Sequence, residues 1–288
     1  MYYRGYNKAD FDAQYNIRAL LPDFQEYYDK WGSWSARARN RLRGKLDVPF
    51  GSGFLENLDI FSSGRPNAPV HVFIHGGYWM ALDKSNFSYI AEVFVSAGAT
   101  SVILNYGLAP ALKMDEIVRQ TREGLAWIRR HAPEFGGDPS HVYIDGHSAG
   151  GHLVAMLMVT NWPEFAQDLP KDLIKGGCAV SGLFDLEPVR LCYVNEALGL
   201  EQELAFRNSP IHHIPETAPS LILSVGGLET DEFRRHSHEF AWKWRAKGLS
   251  LEVVNLPHCN HYTIYDERAN PQSSLNQAIL RQMGLQRS

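Results

Sequence analysis

The sequence predicts an α/β fold: one mainly parallel central sheet, helices on both faces and a small lid insertion, in a single domain spanning 1–288. Three observations carry that expectation. Residues 70–74 (VHVFI), 99–104 (ATSVIL) and 220–225 (SLILSV) are near-continuous apolar runs, as in strands buried on both faces. Segments of helical spacing separate them, and a β-α-β rhythm of this kind argues for a parallel sheet covered by helices. Residues 145–152 read DGHSAGGH, with the β-prone HVYI at 141–144 before them and the apolar helix former GHLVAMLM at 151–158 after them. Strand, sharp turn and helix thus arrive in the order that a G-x-S-x-G elbow requires.

Composition narrows the function classes. The chain has 28 Lys and Arg against 32 Asp and Glu, a formal net charge of -4, and no basic cluster. It carries no electrostatic footprint for nucleic acid, so a small neutral or weakly charged molecule is the expected partner. Cys178, Cys192 and Cys259 are odd in number and scattered, which points to reduced thiols in a cytoplasmic protein. The opening MYYRGY has no apolar core of a targeting signal. No run approaches the roughly 20 apolar residues that span a bilayer, so no membrane partner is expected, and a homodimer is left open.

The elements follow in order. Residues 8–45 read as a polar helical arm, the last part of an N-terminal 1–45 segment, with Phe11, Tyr15, Ile17, Leu20, Leu21, Phe24 and Tyr27 forming a broken apolar stripe. The arm either packs on the body or brings Tyr2, Tyr3 and Tyr15 over the mouth of the site. Residues 55–62 alternate like a strand, and 63–67 (SGRPN) form a turn. The strand at 70–74 runs into His75-Gly76-Gly77-Tyr78-Trp79, and 99–104 closes on NYGLAP at 105–110. A helix is predicted over 114–131 from Ile117, Leu125, Trp127 and Ile128. Strands at 178–181, 220–225 and 249–256 and a helix at 231–247 complete the alternation. Residues 184–214 break the rhythm, and the length and mixed character of that stretch predict a lid insertion above the carboxyl edge of the sheet.

The elbow constrains the chemistry. A serine at a strained turn needs residues without bulk two positions before and after it, and Gly146 and Gly150 flank Ser148 in that way. Such a serine needs N–H donors aimed at a developing oxyanion, each worth about 3–4 kcal/mol when removed. The candidates are the amide of Ala149, at a helix start, and those of Gly76, Gly77 and Tyr78, at a glycine-rich strand exit. The serine also needs a histidine to take its proton, and that histidine needs an acid. His258 and His261 follow the last strand. His261 is preferred, set past a loop at 257–260 long enough to return over the sheet. As metal ligands the two histidines lack a third partner motif, so no metal or organic cofactor is expected. After the 220–225 strand stand Glu229, Asp231 and Glu232, and chemistry alone leaves Glu229 and Asp231 both open as the acid. Tyr78 and Trp79 are the first candidates for an aromatic substrate pocket, with Phe184, Tyr193 and the N-terminal tyrosines behind them.

His75-Gly76-Gly77-Tyr78-Trp79 together with Gly146-His147-Ser148-Ala149-Gly150-Gly151-His152-Leu153 resembles the arylformamidase, or kynurenine formamidase, branch of the α/β-hydrolases. The neighbouring hormone-sensitive-lipase-type esterases carry a third glycine where this chain has Tyr78. The resemblance extends through 105–110, 225–237 and 257–264. It implies an α/β-hydrolase fold and a serine hydrolase that cleaves a small ester or amide through an acyl-enzyme, an N-formyl aryl amine such as N-formylkynurenine being one candidate substrate. It also implies Ser148, His261 and Glu229 as the catalytic set, because the family acid stands four residues before a phenylalanine, as Glu229 does before Phe233. A general carboxylesterase or arylamidase outside tryptophan breakdown is the alternative, and a non-catalytic binding protein on the same fold is a third reading.

Overall fold

The computed structural model describes residues 2–285. Its centre is an eight-stranded sheet in the order β1-β2-β4-β3-β5-β6-β7-β8. The strands are β1 Gly44–Pro49, β2 Asn57–Phe61, β3 Ala68–Ile74, β4 Thr100–Leu104, β5 Gly137–His147, β6 Ile174–Val180, β7 Ser220–Gly226 and β8 Leu251–Leu256. From β4 through β8 every pairing is parallel, and only β1 with β2 and β2 with β4 run antiparallel. The α/β-hydrolase fold expected from the sequence is the fold observed. All five residues of β4 are buried, as the apolar run required.

β1 is an addition to the sequence reading, which carried the helical arm to residue 45. Its sequence, GKLDVP, is polar and almost wholly exposed. An exposed edge strand, held by its ladder to β2 and by polar contacts of Asp47 with Asp59 and Lys84, leaves no apolar pattern to find.

The arm itself forms α1 Lys8–Tyr15, α2 Ile17–Leu20 and α3 Phe24–Arg41. The body helices that follow are α4 Ala91–Ala97, α5 Met114–His131, α6 Ala149–Met158 and the short α7 Trp162–Phe165. The stretch 184–214 contains α8 Leu186–Leu191, α9 Asn195–Leu198 and α10 Gln202–Arg207, and the chain ends with α11 Asp231–Ala246, α12 Thr263–Glu267 and α13 Ser274–Gln282. Successive residues of β6 show that both faces are covered. A side chain on Gly176 would meet Gln282 of α13, and one on Gly177 would meet Met158 of α6. No helix among the described residues is long and apolar enough to cross a membrane.

The 184–214 segment is tied down at its end. Leu186 N–H donates to Ser209 Oγ at 2.7 Å, Arg207 binds Asp115 at the start of α5, and Asn208 O receives the Nε2–H of His152 at 2.7 Å.

Candidate active site

Ser148 stands between β5 and α6 with φ 58 and ψ -120, a conformation that an L-residue holds only under constraint. Close packing of β3 against the turn supplies it. A Cβ on Gly146 would lie 2.5 Å from the Gly150 carbonyl oxygen and 2.9 Å from that of Ile74, and one on Gly150 would fall onto the Ile74 carbonyl. From the other side Ser148 N–H donates to Val180 O at 2.8 Å. The hydroxyl is thereby presented at the carboxyl edge of the sheet.

His261 comes over that edge from the loop after β8. Its Nε2 is 3.0 Å from Ser148 Oγ, and its Nδ1 is 2.6 Å from Glu229 Oε2. A neutral ring that accepts the serine O–H on Nε2 carries its proton on Nδ1 and donates it to the carboxylate. Glu229 Oε1 accepts from Ser181 Oγ at 2.5 Å and from Gly226 N–H at 2.8 Å. Ser148, Glu229 and His261 are 3%, 6% and 6% exposed, so the whole relay lies in a dry environment where its charges are strongly felt. Asp231 takes no part. It opens α11, faces solvent and pairs with Arg234, the place where a carboxylate favours a helix start. His258 is exposed, and Glu232 is engaged by Tyr15 at 2.9 Å and by Arg235 at 2.7 Å. No three His, Cys, Asp or Glu side chains gather as a metal would require among the described residues.

Opposite the histidine, the loop after β3 is wound tightly, with φ 105 at Gly77, 52 at Tyr78 and 57 at Trp79. Among the described residues the N–H groups of Gly77, Tyr78 and Ala149 have no protein acceptor, whereas Gly76 N–H is occupied by Tyr265 Oη at 3.2 Å. The amides left for an oxyanion are therefore those of Gly77, Tyr78 and Ala149. Of the candidate amides, that of Gly76 is the one engaged by a protein acceptor. His75 keeps the strand exit in place, with Nε2 2.9 Å from Asn105 Oδ1 and its ring stacked 4.3 Å from that of Tyr106.

A cavity of about 280 Å³ opens on Ser148 and His261. The arm contributes Asn16, Ile17, Arg18, Tyr28 and Trp31 to its wall, the loop after β3 contributes Tyr78, Met80 and Leu82, and the histidine segment contributes Tyr262 and Tyr265. Tyr193 is the one residue of the 184–214 segment in the wall. Of the four candidates named from the sequence, Tyr78 and Tyr193 line this cavity, and Trp79 and Phe184 do not. Trp79 is fully buried behind the loop and donates Nε1–H to His152 Nδ1 at 3.2 Å. Phe184 is equally buried, stacked 4.3 Å from Phe240. Both large rings are placed in the core, where they remove most apolar area from water. The N-terminal tyrosines also stay out. Tyr2 and Tyr3 pack on Phe11 at 6.0 and 4.8 Å, and Tyr15 contributes only a carbonyl, which accepts the Tyr78 hydroxyl at 2.7 Å.

Two histidines beside the relay stay neutral. Burial first, and the nearby His261 and Arg268 second, hold His147 well below the usual range, and burial draws His152 down to about 4. His147 lies at the cavity with its ring centroid 4.5 Å from that of His261, and neither of its ring nitrogens has a protein partner among the described residues.

Residues 58–233 match the family described as BD-FAE. The chain is 32% identical to the kynurenine formamidase of Danio rerio over 259 residues, covering 88% of this chain and 86% of that one. The chain belongs to the arylformamidase-like branch of the α/β-hydrolases. It is also 34% identical to esterase LipQ of Mycobacterium tuberculosis over 75% of its own length and 56% of that protein's. A Pyrobaculum calidifontis esterase structure superposes with a TM-score of 0.74 at 16% identity, covering 93% of this chain and 96% of that one. That likeness speaks for the fold alone.

Several residues of this α/β-hydrolase site were missed by sequence reasoning. Ser181, at the exit of β6, completes the hydrogen bonding of Glu229, and its position beside β7 at the carboxyl edge was the available clue. Asp145, three residues before Ser148, is buried against Arg268 and 3.2 Å from His71 Nε2. It anchors the end of the histidine segment under the elbow. Tyr265 stands four residues after His261, in α12, which begins at Thr263 just past the histidine.

Proposed function

We propose that this enzyme is a serine hydrolase working through an acyl-enzyme, with an N-formyl aryl amine as its substrate. Ser148 Oγ attacks the carbonyl carbon as His261 Nε2 takes its proton, and Glu229 stabilises the imidazolium without being protonated. The oxyanion is received by the amides of Gly77, Tyr78 and Ala149. His261 then delivers its proton to the departing nitrogen or oxygen. Water, deprotonated by the same ring, attacks the acyl carbon, and collapse of that second intermediate frees Ser148. The observation that carries the reading is the unbroken buried chain from Ser148 Oγ through His261 to Glu229, at 3.0 and 2.6 Å.

The substrate class is supported by the walls of the cavity, where Tyr28, Trp31, Tyr78, Tyr193, Tyr262 and Tyr265 offer aromatic faces, and by the name of the Danio rerio relative. An aryl leaving group fits such a wall. The test is steady-state kcat/KM for N-formylkynurenine against 4-nitrophenyl acetate and butyrate. A strong preference for the formamide is expected. Fast ester cleavage with negligible formamide turnover assigns the protein instead to the general carboxylesterases, as the LipQ likeness favours.

A further inference from the structure

The two halves of the site come from opposite ends of the chain. Two of the three oxyanion amides, those of Gly77 and Tyr78, lie in the loop after β3, and His261 lies 185 residues after Gly76 (261 − 76). Catalysis requires the two to be held in register, because a displacement of about 1 Å in a reacting group costs on the order of 100-fold in rate. One hydrogen bond joins them directly among the described residues: Gly76 N–H donates to Tyr265 Oη at 3.2 Å. From this bond we infer that Tyr265 is a positioning residue that sets the oxyanion loop against the segment bearing His261. The inference rests on the serine-hydrolase reading.

The hydroxyl has little freedom to be elsewhere. The Tyr265 ring is enclosed by Trp31 at 4.5 Å, Phe87 at 4.8 Å and His147 at 4.3 Å between centroids. Its carbonyl accepts the Tyr89 hydroxyl at 2.9 Å. The next residue, Asp266, is gripped by Lys30 at 2.6 Å and by Trp31 Nε1–H at 3.2 Å, both from α3. Three separate elements thus fix α12, and α12 fixes the loop. On the loop side the approach is equally close. A Cβ on Gly76 would lie 3.1 Å from Tyr265 Oη, 3.1 Å from Ser148 Cβ and 2.9 Å from His147 O. Position 76 must be bare for its amide to reach the tyrosine beside the nucleophile.

Tyr265→Phe keeps the ring and removes the acceptor. It is expected to lower kcat on 4-nitrophenyl acetate and on N-formylkynurenine alike by about 10- to 100-fold, with KM within about two-fold. Affinity for phenylboronic acid, whose tetrahedral adduct on serine places an oxygen in the oxyanion site, should fall by a similar factor. A merely structural role would leave that split between kcat and KM unmoved. Wild-type kcat in the folded variant, or a rise in KM alone, overturns the inference. Where Tyr265→Phe does not fold, Tyr89→Phe is read instead, since it frees the Tyr265 carbonyl from outside the site. There a several-fold fall in kcat at unchanged KM supports the inference, and unchanged kcat overturns it. Turnover surviving in Ser148→Ala sinks the serine-hydrolase reading itself, whereas turnover that depends on Ser148 but ignores Tyr265 sinks only this one.

Discussion

The relay and the cavity wall meet at Ser148, yet they are built in contrasting ways. The relay side rests on strained backbone and saturated polar contacts. Ser148 holds φ 58, and Glu229 accepts three hydrogen bonds, from Ser181, Gly226 and His261. The wall is built of aromatic rings, aliphatic chains and one exposed cation, Arg18, and the arm at the start of the chain supplies Asn16, Ile17, Arg18, Tyr28 and Trp31 to it. The difference teaches where rate and selectivity reside. Groups fixed from several sides act in the transition state, while a wall of aromatic faces binds ground state and transition state more evenly and registers in KM.

Substitutions on the two sides should therefore separate. The largest effect is expected for Ser148→Ala, which should lower kcat by about 10⁴-fold or more while thermal unfolding stays where it was. Steady-state assays with 4-nitrophenyl acetate check it. Glu229→Gln should cost about 10³- to 10⁴-fold in kcat, since the ring loses the charge that stabilises the imidazolium. A wall residue behaves otherwise. Tyr28→Ala should raise KM for an aryl substrate by about 3- to 10-fold with kcat within about two-fold, the worth of one aromatic contact. If Tyr28→Ala instead lowers kcat as Glu229→Gln does, the division between the two regions fails.

The same contrast has a consequence for stability. His152 locks the relay side, between Trp79 Nε1 at 3.2 Å and Asn208 O at 2.7 Å. Its folded pKa of about 4 lies below the ordinary 6.5, so between those two pH values the unfolded chain binds a proton that the folded one refuses. Stability is then full above about pH 6.5 and falls as the pH drops toward 4, by on the order of 3 kcal/mol for this one group. Buried His71, His75, His147 and His236 are shifted the same way and add to it. Urea unfolding of wild type and His152→Gln at pH 7, 5.5 and 4.5 tests this, with a shallower loss expected in the variant. Identical pH slopes would refute the assignment to His152. The smallest effect belongs to Asp231→Asn, within about two-fold of wild-type kcat, because that carboxylate faces water beside Arg234. A loss larger than that of Glu229→Gln would reverse the choice of acid.

What could be read in one dimension was whatever is encoded within a few residues. The strand-turn-helix around Ser148, the bare positions at Gly146 and Gly150, the glycine-rich exit at Gly76-Gly77 and the place of His261 after the last strand are short-range patterns, and each stands where the pattern put it. Residue chemistry left Glu229 and Asp231 level, and only the family pattern favoured Glu229. In space the two differ in direction: Glu229 turns inward to His261 before α11 begins, whereas Asp231 lies on the solvent side of its first turn. The burial of Trp79 and Phe184, the diversion of the Gly76 amide to Tyr265 and the wall built by Tyr28 and Trp31 were set by tertiary structure alone. Each depends on elements far apart in sequence, as in the Gly76 to Tyr265 bond across 189 residues. Local propensity shapes the turn that exposes a serine, but which ring lies under a loop and which lies over a cavity is decided by how the assembled sheet and arm fill space.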